Sequence, residues 1–64
     1  MEYSEAIRRL RKKMLLTQQE FAKELGVAFV TINRWENGEN EPSMKYKRKL
    51  LPLFKRYCIV VEDN

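Results

Sequence analysis

The sequence contains no histidine, one cysteine, two glycines and two prolines. Each shortage closes off a kind of chemistry. Without histidine, no zinc site of the Cys/His kind can form. The lone Cys58 cannot make an intramolecular disulfide, which fits a reducing compartment. Its apolar neighbourhood predicts a small core residue rather than a nucleophile. There is no glycine-rich phosphate loop. No apolar run approaches the roughly 20 residues needed to span a membrane. The opening Met1-Glu2-Tyr3-Ser4 lacks the basic and apolar regions of a signal peptide. The carboxylates show no paired arrangement suited to acid–base work. These observations predict a soluble, cytoplasmic protein that is not an enzyme and needs no metal or cofactor.

Acids are missing from two stretches. Arg8, Arg9, Arg11, Lys12 and Lys13 form one basic block, and six further basic residues lie between Lys45 and Arg56. The chain carries 13 Lys+Arg against 9 Asp+Glu, a formal net charge of +4. Clustered positive charge suits a polyanionic partner. The alternative is that these residues simply solvate exposed helix faces. With 64 residues, the chain (1–64) forms one domain. A domain of that size buries only about 60% of its unfolded surface. A flat recognition surface is easier to build at this size than a deep pocket.

Periodicity is helical throughout. Ser4 is placed to cap a first helix whose stripe is Ile7, Leu10 and Met14. Thr17 and Glu20 match a capping box at the start of a second helix. Phe21, Ala22 and Leu25 form its buried face, and Gly26 ends it with a left-handed backbone. A third helix is predicted over Phe29–Asn37, with Gly38 as its stop. After the polar loop Glu39-Asn40-Glu41-Pro42, Ser43 is placed to cap a fourth stretch through Leu50, Leu51, Phe54, Tyr57 and Cys58. Pro52 predicts a break or kink near Leu51. The fold class is therefore all-α, a compact bundle of four to five short helices. Residues 17–38 read as a helix-turn-helix.

The third helix divides into two faces. With Phe29 at 0° and about 100° per residue, Phe29, Val30, Asn33, Arg34 and Asn37 fall between about 0° and 140°. Ala28, Thr31, Ile32 and Trp35 fall between about 200° and 300°. Ile32 and Trp35 favour burial, whereas Asn33, Arg34 and Asn37 must stay accessible or paired. Phe29 and Val30 are then exposed beside Asn33 and Arg34. Such apolar groups can contact thymine methyls in a major groove, Arg34 can reach guanine O6 and N7, and Asn33 can pair with adenine N6 and N7. The alternative puts Phe29 in the core and pairs Arg34 with a glutamate.

Leu16-Thr17-Gln18-Gln19-Glu20-Phe21-Ala22, then Leu25-Gly26-Val27, then Thr31-Ile32-Asn33-Arg34-Trp35-Glu36-Asn37-Gly38 and Pro42 resemble the Cro and phage lambda repressor family. This is also called the xenobiotic-response-element helix-turn-helix family. The match runs from about Ile7 to Pro42 and weakens beyond Ser43. It implies a five-helix domain that binds double-stranded operator DNA as a two-fold dimer. By position it implies base-reading roles for Ala28, Phe29, Val30, Asn33 and Arg34. It implies phosphate contacts for Gln18 and Asn37, and a structural pair between Arg11 and Glu36. Trp35 falls with the scaffold.

Three departures qualify the resemblance. Ala28 stands where the family often has a Ser or Thr cap. Phe29 and Val30 replace polar readers, which shifts readout towards methyl contacts and shape. Glu39 and Glu41 occupy a loop where some members carry basic phosphate contacts, and Lys45, Lys47 and Arg48 are the candidates to replace that anchoring.

A transcriptional regulator, specifically a repressor acting by operator occupancy, is the reading these residues favour. An antitoxin or a restriction–modification controller would use the same DNA surface plus a protein partner at Tyr46 or the Ile59-Val60-Val61 tail. That tail, with Leu53 or Tyr57, is also the expected dimer surface. A third reading is a protein-interaction module that has lost DNA binding, with Phe29 and Val30 as its apolar patch.

Overall fold

The computed structural model describes residues 3–61. Within them the chain forms four α-helices: α1 Tyr3–Lys13, α2 Gln18–Leu25, α3 Phe29–Glu36 and α4 Met44–Arg56. This is the all-α bundle expected, with four helices where the family resemblance implies five. α3 packs against both α1 and α2, and α4 packs against α1. One core joins them. Ile7, Leu10, Phe21, Ile32 and Leu50 are its largest fully buried side chains, with Ala6, Ala22, Leu25, Trp35, Phe54 and Ile59 around them.

The caps follow the sequence in part. The Thr17 capping box is complete: Glu20 N–H donates to Thr17 Oγ1 at 3.1 Å, and Thr17 N–H donates to Glu20 Oε1 at 2.9 Å. Ser4 is not a cap, because α1 already includes it. Ser43 holds the N-cap position of α4, but its side chain makes no capping bond. Ala28 at the N-cap of α3 makes none either, as its methyl group requires.

All four helices end in one hydrogen-bond pattern. After α2, Gly26 N–H reaches Lys23 O and Val27 N–H reaches Ala22 O. The equivalent residues are Leu15 and Leu16 after α1, Gly38 and Glu39 after α3, and Cys58 and Ile59 after α4. The turn needs one left-handed residue. Gly26 and Gly38 supply it at φ +73° and +77°, but Leu15 and Cys58 must also adopt φ +60° and +58°. This geometry corrects the reading of Cys58, which is exposed rather than buried. The turn directs Cys58 outward and sends the next residue, Ile59, into the core.

Leu15 has the same conformation and is 89% exposed, so it gains little from burial. A left-handed L-residue costs about 1–2 kcal/mol, against roughly 0.5–1 kcal/mol of extra chain entropy for glycine. Leu15→Gly is therefore expected to stabilise the protein by about 0.5–1 kcal/mol. A urea titration against the parent chain checks this, and an unchanged or lowered midpoint refutes it.

Pro52 does not interrupt α4, which runs continuously from Met44 to Arg56. The carbonyl left without its donor belongs to Arg48. Arg48 and Pro52 are both exposed, so water can take that bond. Leu50 and Phe54, buried on either side, hold the helix across the proline.

Candidate nucleic-acid interface

α3 is held from beneath by Ile32, Trp35 and Glu36, all buried. Trp35 lies tilted against Tyr46 of α4, with ring centroids 5.6 Å apart. Its other face is open. Phe29 and Val30 are 46% and 49% exposed, and Ala28 and Arg34 are exposed beside them. Phe29 has not joined the core, and Arg34 has no ion pair among the described residues. The side chain of Asn33 is half-buried at the edge of this strip.

Among the described residues, Glu36 is the one charged residue buried in the core. Arg11 clamps its carboxylate with two bonds, Nε to Oε2 at 2.7 Å and Nη2 to Oε1 at 3.1 Å. Arg11 Nη1 also donates to Leu16 O at 3.1 Å, across the turn that ends α1. The hydrogen bond to Glu36 raises the Arg11 pKa; desolvation opposes it and the charge of Glu36 assists. A raised arginine pKa adds stability that is complete below the unfolded value and lost as pH rises through the folded one. Arg11 therefore introduces no pH dependence near neutrality.

Arg8 donates from Nη2 to the Glu36 carbonyl at 2.9 Å. That carbonyl belongs to the last turn of α3, where a cation also opposes the negative end of the helix dipole. Arg8 thus holds the scaffold, whereas Lys12 stands exposed on α1.

The polar contacts continue outward from Glu36. Gln18 Nε2 donates to Glu36 Oε1 at 3.0 Å, and Asn33 Nδ2 donates to Gln18 Oε1 at 3.3 Å. Asn37 Nδ2 then donates to Asn33 Oδ1 at 2.9 Å. Gln18, Asn33 and Asn37 are brought together, although 15 residues separate Gln18 from Asn33. The Asn33–Asn37 spacing of four was visible in the sequence as one helix face. The join to Gln18 was not, because it depends on how α2 packs on α3.

The start of α4 is divided. Lys45 and Arg48 are exposed. Lys47 is turned inward: Nζ lies 3.3 Å from Glu41 Oε1 and 4.7 Å from the centre of the Tyr3 ring. Glu41 is thereby paired with Lys47. Of the residues considered for a protein partner, Tyr46 is half-buried against Trp35 and Ile59 is in the core. Only Val60 of that set stands well exposed.

The packed α2–α3 pair, its short turn at Gly26 and the open outer face of α3 are a helix-turn-helix in three dimensions. The helix-turn-helix family matches the chain over residues 7–51, from α1 into α4. The chain belongs to that family. This is the Cro and lambda repressor-like, xenobiotic-response-element kind of helix-turn-helix. A relative named HTH-type transcriptional activator BcrR, from Enterococcus faecalis, is 38% identical over 63 residues. That alignment covers 98% of this chain and 29% of the relative, so this helix-turn-helix chain spans under a third of that protein's length. No solved structure matches the chain. Among the described residues, no helix of this helix-turn-helix domain is long and apolar enough to cross a membrane.

Proposed function

We propose that this helix-turn-helix protein is a sequence-specific double-stranded DNA-binding regulator of transcription, acting beside the chromosome in the cytoplasm. The observation that carries the reading is the two-sided α3. Ile32, Trp35 and Glu36 bind it to the core while Phe29, Val30 and Arg34 stand free on the opposite side. A major groove about 12 Å wide admits one such helix. In this reading Ala28, Phe29 and Val30 meet base edges and thymine methyls, and Arg34 and Asn33 supply hydrogen bonds. Gln18 and Asn37 contact phosphates at the two ends of the strip. The first turn of α2 adds free N–H groups and a favourable dipole near Gln18. Lys45 and Arg48, the exposed cations at the start of α4, add charge along the backbone.

The domain's greatest extent is 25 Å. One turn of DNA is about 34 Å, so one copy covers less than a turn, and two copies on half-sites one turn apart form the complex. Because Ile59 is in the core, it cannot provide the dimer contact expected from the sequence.

Regulation by occupancy predicts repression, while the relative's name records activation. A reporter carrying the bound site decides the sign for this chain. Selection of bound sites from a random duplex pool, with a salt titration on the winner, tests the proposal. The expected result is an enriched palindromic sequence whose affinity falls log-linearly with salt, by about 0.9 in log–log slope per phosphate neutralised. A protein-interaction module that uses Phe29 and Val30 as its patch would enrich nothing and show no salt-dependent DNA binding.

A further inference from the structure

The direction of every bond in the Gln18–Asn33–Asn37 chain has one origin. Glu36 is a buried carboxylate, and a carboxylate only accepts. Arg11, which only donates, takes both of its oxygens. Gln18 must therefore turn its Nε2 towards Glu36 and its Oε1 away. That oxygen needs a donor, so Asn33 must present Nδ2 to it, which leaves Asn33 Oδ1 to accept from Asn37. Reversing one amide alone would set N–H against N–H at one end and oxygen against oxygen at the other. The clashes at Glu36 and between Gln18 and Asn33 would leave partly buried polar groups unsatisfied.

We infer that Glu36 is a specificity-determining positioning residue: through Gln18, its buried charge fixes which way round the Asn33 amide faces the DNA. The inference rests on the DNA-binding reading above. Asn33 spends one Nδ2 hydrogen on Gln18 and one Oδ1 lone pair on Asn37. It keeps one hydrogen and one lone pair, in a fixed order in space. Adenine N7 and N6–H offer an acceptor and a donor in a fixed order as well, so the order selects the base. Glu36 touches no base in this scheme.

Glu36→Gln inverts the chain. Oε1 accepts from both Arg11 Nη2 and Gln18 Nε2, and Oε2 from Arg11 Nε. The single amide oxygen is expected to keep the shorter bond, to Nε at 2.7 Å, and to give up the 3.1 Å bond to Nη2. The amide nitrogen then takes the Oε1 position and faces Gln18. Gln18 must flip to offer Oε1, and Asn33 and Asn37 flip in turn. The free hydrogen and lone pair on Asn33 exchange places.

The test has two arms. In the first, 15N-labelled free protein is observed through its side-chain amide signals. Glu36→Gln is expected to shift those of Gln18, Asn33 and Asn37 together. Gln18→Ala cuts the chain and removes one donor from Glu36 but leaves both Arg11–Glu36 bonds in place, so it covers the case in which Glu36→Gln does not fold. It is expected to shift the signals of Asn33 and Asn37. Signals of Asn33 and Asn37 that stay put in every folded variant overturn the inference, whether or not the protein binds DNA. In the second arm, sites are selected from a random duplex pool. Glu36→Gln is expected to change the preferred base at one position per half-site and leave the others. Asn33→Ala is expected to flatten that same position, a loss of about 5- to 150-fold in discrimination. The double variant should match Asn33→Ala alone. Uniform weakening by Glu36→Gln at every position, or retention of the parental base throughout, overturns the inference. Failure of the parent chain to select any site overturns the DNA reading instead, and the first arm then decides whether the amide chain exists.

Discussion

Arg11→Met is expected to destabilise the protein by about 3–5 kcal/mol, the cost of breaking one side of a buried ion pair. The Glu36 side chain is 2% exposed and that of Arg11 17%. Methionine fills much of the space of arginine and removes both clamping bonds, so the charge on Glu36 is left in the core. Gln18 remains as a donor, and Arg8 Nε lies 3.8 Å from Oε1, which moderates the loss towards the lower end. A protein of 64 residues has only about 3–10 kcal/mol to lose. At roughly 4–8 °C per kcal/mol for a small domain, the melting temperature should fall by about 12 °C or more. The double variant Arg11→Met/Glu36→Leu should recover most of the loss, because no charge is then buried. It will not recover all of it, since Gln18 loses its acceptor. Thermal and urea melts of the three proteins check this. A double variant no more stable than Arg11→Met would show that the damage lies in packing rather than in the stranded carboxylate.

Arg34→Ala is expected to weaken binding to the selected operator by about 1–3 kcal/mol and to relax one base position per half-site. Its guanidinium is exposed on the free face of α3 and has no ion pair among the described residues, so little folding stability should change with it. Lys12→Ala is the control. Lys12 is also exposed, but on α1, and its loss should weaken operator and random duplex about equally while lowering the salt slope by about one. Titrations of both variants on operator and random DNA make the comparison. Equal losses on the two duplexes for Arg34→Ala would remove it from the base-reading strip.

Much of the fold was legible because it is local. The capping box at Thr17, the glycine stops at Gly26 and Gly38 and the apolar spacing on α2 and α3 each depend on neighbours within one or two turns. So did the exposure of Phe29 and Val30, which follows from the position of Ile32 and Trp35 on the opposite face. The misreadings had a different cause. Pro52 can break or kink a helix by its own chemistry. The break is absent, because α4 runs on through it with Leu50 and Phe54 buried on either side. Cys58 has a core residue's composition, but the turn after α4 gives it the outward left-handed position and gives Ile59 the core. Ala6, fully buried, did not stand out from the sequence because a methyl group contributes little to an apolar stripe.

The sequence by itself determined that a helix-turn-helix lies between Thr17 and Gly38, and which face of its third helix stays open. Helical period and cap chemistry are short-range properties, so they can be read along the chain. Only the tertiary structure decided that Lys47 turns inward to Glu41 and Tyr3, and that Arg8 closes the end of α3. It alone joined Gln18, Asn33 and Asn37 to the buried carboxylate of Glu36. Those contacts depend on the packing of separate helices, and a polar side chain within reach of several partners does not reveal in its sequence which one it will take.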